Sequence, residues 1–131
     1  MNRKKMVLMY QWIKGNVYKL IATLSDTCIT LNNSAANHFA DVRWCLIGID
    51  SDELKLAIKP VSKTDIDLHL YSLEDLHKIS MGNGYARISN KSLMQSVAEL
   101  RGAPLLNDKC SCEWDEKNNM LVINLAVQGG M

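Results

Sequence analysis

The chain has 131 residues and a mass of 14.7 kDa, with 47% hydrophobic residues, 22% charged residues and a formal net charge of +1. This composition excludes wholesale disorder and suits one domain, residues 1–131, with a packed core. A membrane-spanning helix needs about 20 apolar residues, which no run here approaches, and no secretory h-region follows the basic start, so a cytoplasmic protein without a membrane partner is expected.

In chain order, residues 1–5 are polar, and Met6–Ile13 is β-prone. Lys14-Gly15-Asn16 is a turn signal before a second β-prone run, Val17–Leu24. Ser25-Asp26-Thr27 is the next turn, and Cys28-Ile29-Thr30-Leu31 has the β-branched and apolar content of a strand. Asn32 or Asn33 can cap a short helix whose apolar stripe is Ala35, Ala36 and Phe39. Val42–Ile49, the most apolar run, predicts a buried strand, and Leu54–Lys59 alternates as a half-buried strand stopped by Pro60. Residues 61–75 form an acidic linker. In it, Leu68 and Leu70 alternate like a strand, and Ser72–Asp75 fits a capping box.

Leu76–Ser80 is again β-prone, Gly82-Asn83-Gly84 is a turn, and Tyr85–Ser89 is a strand. Asn90 then caps the cleanest helix of the chain, with Leu93, Val97 and Leu100 at helical spacing. Gly102 ends it and Pro104 prevents its resumption. Cys110–Trp114 and Met120–Val127 are strands joined by a turn over Asp115–Asn119.

The fold class is therefore mostly β with short helices (α+β). The order strand, turn, strand, short helix, strand, turn, strand occurs twice, over residues 17–60 and 76–127. Superposing Leu20–Asn33 on His77–Asn90 sets Asp26 on Asn83, Thr30 on Arg87, Leu31 on Ile88 and Asn33 on Asn90. Hairpins follow both helices, Arg43–Lys59 and Lys109–Val127, with extra residues at Arg101–Asp108 in the second copy. Each β-β-α-β-β unit is too small to bury one sheet face and leaves edges open. Two units that pair their strands would solve both problems by closing a small pseudo-twofold barrel.

The unit with Ile29-Thr30-Leu31-Asn32, a short helix and a hairpin ending Ala57-Ile58-Lys59-Pro60 resembles the AbrB/SpoVT swapped-hairpin family of bacterial DNA-binding proteins. The tandem pair is similar to the MraZ arrangement, and Asn83-Gly-Tyr-Ala-Arg87 stands near its Asp-x-x-x-Arg motif. The first copy keeps the acid, Asp26, but has Thr30 where the arginine belongs. The Gly-Arg and Ile-Pro pairs usual in the family are absent around Cys28–Asn32. The resemblance implies a swapped-hairpin-like barrel and a non-enzymatic transcriptional regulator that binds double-stranded DNA as a homodimer or larger homo-oligomer. Arg87 is then the leading contact, Lys78 and Lys91 follow by proximity, and Lys19 and Arg43 are their first-copy counterparts by charge.

Charge is unevenly distributed. Residues 1–25 hold Arg3, Lys4, Lys5, Lys14 and Lys19 and no acid, whereas residues 26–75 are strongly acidic. Lys78, Arg87, Lys91 and Arg101 make residues 76–105 basic again. If the two basic segments share a face, they offer a phosphate-binding surface. The competing expectation is a solvated mixed surface on which Arg87 pairs with an acid. The alternative function is then a protein-interaction or assembly module without DNA binding.

No phosphate loop, dinucleotide turn or nucleophile elbow marks an enzyme, and no cofactor is expected. The four cysteines, Cys28, Cys45, Cys110 and Cys112, read as free thiols. In a strand Cys110 and Cys112 share a face, but no second pair completes a zinc site with His38, His69 or His77, so no metal is expected. Trp44 and Trp114 occupy similar hairpin regions and read as core or interface anchors.

Overall fold

The computed structural model describes residues 19–126. Its strands are β1 (Ile21–Leu24), β2 (Cys28–Leu31), β3 (Trp44–Asp50), β4 (Lys55–Val61), β5 (His77–Lys78), β6 (Ser80–Gly82), β7 (Tyr85–Ser89), β8 (Asp108–Asp115) and β9 (Met120–Asn124). Its α-helices are α1 (Asn33–Ala36), α2 (Lys63–Asp67) and α3 (Lys91–Arg101), and Asn37–Phe39 and Leu73–Asp75 form 3-10 turns. The predicted strands at Met6–Ile13 and Val17–Tyr18, and Trp12, lie outside the described residues.

All strand pairs are antiparallel, in the order β5-β3-β4-β9-β8-β1-β2-β7-β6. The two ends of this order are neighbours in sequence, separated by Ile79 alone, whose amide donates to the Arg43 carbonyl at 2.9 Å. The sheet therefore curls into a nearly closed barrel, which leaves few backbone groups at an open edge.

Strict alternation fills the barrel. Ala22, Leu24, Ile29 and Leu31 are fully buried, as are Leu56, Ile58, Ala86, Leu121 and Ile123, while their neighbours along each strand point outward. The buried residues from both halves of the chain form one cluster. Ala35 and Phe39 join this cluster from the segment after β2, and α3 contributes Met94 and Val97. Leu93 and Leu100 are only half-buried, so the inward face of α3 is rotated slightly from the predicted stripe.

Turn chemistry joins these elements. Gly84 follows Asn83 in the β6–β7 hairpin with φ +85, a region costly for residues with a Cβ. Gly102 ends α3 with φ +72, and its amide donates to the Ala98 and Glu99 carbonyls. The Asp115 side chain accepts from the Asn118 amide and side chain at 3.0 and 2.8 Å, and these hydrogen bonds hold its carboxyl below the usual range.

Several expectations change. The first helix cap is Asn32, whose Oδ1 accepts from the Ala35 amide at 3.1 Å and from the Ile21 amide at 3.2 Å, while its Nδ2 donates to the Lys19 carbonyl at 2.8 Å. Asn33 is the first helical residue instead. The strand does not stop at Pro60, because β9 ends its pairing with β4 at Leu121 opposite Ile58 and only β3 flanks Pro60. Leu68 and Leu70 are not in a strand: Ser62 caps α2 by accepting from the Asp65 amide, and His69 turns back with φ +55. Trp44 points outward because its neighbour Cys45 points in, whereas Trp114 packs against Phe39 at a ring separation of 6.2 Å.

Asn32→Ala is expected to lower unfolding free energy in a urea titration by about 1–2 kcal/mol, since the side chain caps a helix and also ties β1 to it. Asn33→Ala should change it by less than about 0.5 kcal/mol.

Candidate nucleic-acid interface

Pairing registers assemble one outward row from five strands. Ser80 on β6 lies opposite Arg87 on β7, Arg87 opposite Thr30 on β2, Thr30 opposite Thr23 on β1, and Thr23 opposite Lys109 on β8. Directly paired residues project to the same side of a sheet, so cations stand at two positions of the row and hydroxyls at the other three. Flanking rows on this face add Lys78, Ser89, Tyr85, Cys28 and Ser111. No carboxylate belongs to the row. Glu113 lies further along β8, opposite Val122 of β9, and Asp108 is held by Arg101.

Arg87 is exposed, and its guanidinium carbon stands 5.1 Å from the Tyr85 ring centre. The tyrosine face thus supports the guanidinium without neutralising it. Among the described residues the ion pair present is Arg101–Asp108 at 2.7 Å, so Arg87 has no carboxylate partner there.

The other predicted cations divide. Lys78 is exposed, two residues before Ser80 on the same face. Trp44 stands opposite Lys78 across the β3–β5 pairing, and Arg43, just before β3, lines a shallow cleft of about 530 Å³ with Lys78, Asp41 and Ser80. Lys19 lines another cleft, of about 410 Å³, with Lys109 and Ser111 at the far end of the row. Lys91 lies apart: it begins α3 and borders an apolar cleft of about 460 Å³ with Ser25, Asp26, Met94 and Leu105. Lys109 and the hydroxyl residues were not singled out by the sequence. Lys109 belongs to the face because it pairs with Thr23 across β1–β8, a contact between residues remote in the chain.

One thiol belongs to this surface. Burial alone would raise the Cys28 thiol, but hydrogen bonds with Ser25, Thr30 and Thr27 and the nearby Arg87 charge bring it below its ordinary value. Its sulfur is 3.4 Å from Ser25 Oγ and 3.9 Å from Thr30 Oγ1. Burial pushes the Cys45 and Cys112 thiols up to about 12. Burial also raises Cys110, partly offset by Arg101. Cys110 and Cys112 do share the inward side of β8. Among the described residues, no group of three or more His, Cys, Asp or Glu side chains is arranged to hold a metal ion, and no helix is long and apolar enough to cross a membrane.

The chain matches no protein family, and no curated protein or solved structure is significantly similar to it.

Thiol labelling tests the local electrostatics. A water-soluble disulfide reagent at pH 8 is expected to modify Cys28 first, and Cys28→Ser should remove the fast phase. The rate should rise with pH around a midpoint below 9.0, the ordinary thiol value. Arg87→Gln should move that midpoint upward, and Cys45 and Cys112 should react only on unfolding.

Proposed function

We propose that this chain is a duplicated β-β-α-β-β barrel, similar to the swapped-hairpin regulators, and that it binds double-stranded DNA through the row from Ser80 to Lys109. Register supports the duplication. Thr23 opposite Thr30 and Leu24 opposite Ile29 correspond to Ser80 opposite Arg87 and Met81 opposite Ala86, the same residues that the repeat superposes. Thr30 and Arg87, equivalent positions in the repeat, face each other across β2 and β7, as a local twofold axis requires. Leu54 and Asn119, at equivalent ends of the two hairpin turns, share φ +53.

The observation that carries the binding reading is the carboxylate-free row of cations and hydroxyls. Strands are spaced about 4.8 Å apart, so Arg87 and Lys109, three strands apart, stand roughly 14 Å from each other. That separation is comparable to the width of the DNA major groove, about 12 Å, and suits contacts to phosphates on its two sides. Arg87 provides a planar fork for a phosphate or a guanine edge, while Lys78 and Lys109 act as point charges. Thr23, Thr30 and Ser80 can each donate a hydroxyl hydrogen bond to a phosphate oxygen. On this reading the protein performs no catalysis and needs no cofactor. Assembly as a homodimer or larger homo-oligomer would multiply a modest local charge. A second reading, a protein-interaction module, is favoured by exposed leucines in the acidic segment between β4 and β5.

A gel-shift titration with duplex DNA tests the binding. Neutralising three phosphates with Arg87, Lys78 and Lys109 gives an expected log–log salt slope of about −3 per protein chain. Arg87→Ala should weaken binding about tenfold and reduce the slope by about 1. A complete lack of salt-sensitive binding at low ionic strength would remove this reading.

A further inference from the structure

Between β4 and β5 the chain leaves the barrel for residues 62–76, and none of them is buried. The excursion is nevertheless ordered by its own caps. Ser62 Oγ accepts from the Asp65 amide at 3.1 Å, Leu70 N donates to the Asp65 carbonyl at 3.1 Å, and Ser72 Oγ accepts from the Glu74 amide at 3.4 Å. These hydrogen bonds fix a compact fold that presents Leu68, Leu70 and Leu73 at 63, 59 and 76% exposure. Asp65, Asp67, Glu74 and Asp75 flank them in the chain, with Lys63 the one cation of the stretch. Single exposed leucines are ordinary, but three within six residues, in a segment with four carboxylates and one lysine, make a patch suited to an apolar partner of positive charge.

The same chain contains such a partner. In residues 1–18, Met6, Val7, Leu8, Met9, Tyr10, Trp12 and Ile13 lie between Arg3-Lys4-Lys5 and Lys14, with no acid. We propose that this N-terminal segment docks on its own chain's acidic leucine patch, its apolar side chains against Leu68, Leu70 and Leu73 and its cations against Asp67, Glu74 and Asp75. Reach does not limit the contact. Eighteen extended residues span up to about 60 Å, against a radius of gyration of about 14 Å for a compact chain of this size. Attachment at Lys19 also makes the encounter intramolecular, at an effective concentration in the millimolar range. Docking would cover the leucines and draw Arg3, Lys4 and Lys5 toward acids.

Zero-length carbodiimide coupling of the full-length protein, read by peptide mass spectrometry, tests this contact. A sample mixed from isotope-labelled and unlabelled chains separates links within a chain from links between chains. The expected result is coupling of Lys4, Lys5 or Lys14 to Asp67, Glu74 or Asp75 within single chains. In the double variant Leu68→Ser, Leu73→Ser, whose sites are exposed, the yield should fall about tenfold with unchanged thermal unfolding. Links predominantly between chains would assign the patch to a second copy and overturn the proposal. Coupling of these lysines to Asp26, Glu113 and other acids without preference, or coupling insensitive to the leucine substitutions, would overturn it as well.

Discussion

At Thr30 the backbone of β2 lies directly opposite Arg87 of β7, one of several seams that join strands remote in the chain. β1 pairs with β8, and β4 pairs with β9. Neither half of the chain completes a sheet without the other. Unpaired backbone N–H and C=O groups at a buried edge are costly, and a barrel removes most of them. The register of these seams also decides which side chains face inward. A one-residue slip along β2–β7 would turn Ile29 and Leu31 to solvent and Thr30 into the core.

The same registers that bury Leu24, Ile29, Ala86 and Ile88 also raise the polar row on the opposite side. Core and candidate interface are two faces of one pleat, and neither can move independently. The hydroxyls of Thr23 and Thr30 are outward because their neighbours are inward, not because of any local signal. Cys28 shares this origin: alternation puts its sulfur outside, among hydroxyls and near a guanidinium, whereas Cys45, Cys110 and Cys112 look inward and their thiols are raised.

Two parts of the molecule depart from the simple pleat. After α3, the connection to β8 is closed by the Arg101–Asp108 pair, with the arginine side chain 6% exposed. Among the described residues the buried Arg101 Nε makes no hydrogen bond, and Asp108 is held through Nη1. The excursion between β4 and β5 has the opposite character, with good local capping and no fully buried residue. Its leucines contribute nothing to the barrel core. The barrel and this surface feature therefore answer to different physical demands.

Local patterning determined much of what the chain forms. β2 and β7 occupy the predicted Cys28–Leu31 and Tyr85–Ser89, and α3 runs from the Asn90 cap to Gly102 as its spacing requires. These elements have short-range causes: β-branched content, amide-capping side chains and a glycine at positive φ. Tertiary structure decided the rest. Leu68 and Leu70 have the alternation of a strand, but no neighbouring strand is available and the Ser62 cap wins. Pro60 continues β4 because the β4–β9 pairing stops at Ile58 and only β3 flanks the proline. Asn32 rather than Asn33 becomes the cap because it also reaches Lys19 and Ile21, eleven or more residues away. Arg87 was legible as a cation in a strand, yet its row with Lys109 was not. Residues far apart in sequence become neighbours only when registers close the sheet, and a one-dimensional pattern carries the period of a strand but not the identity of its partner.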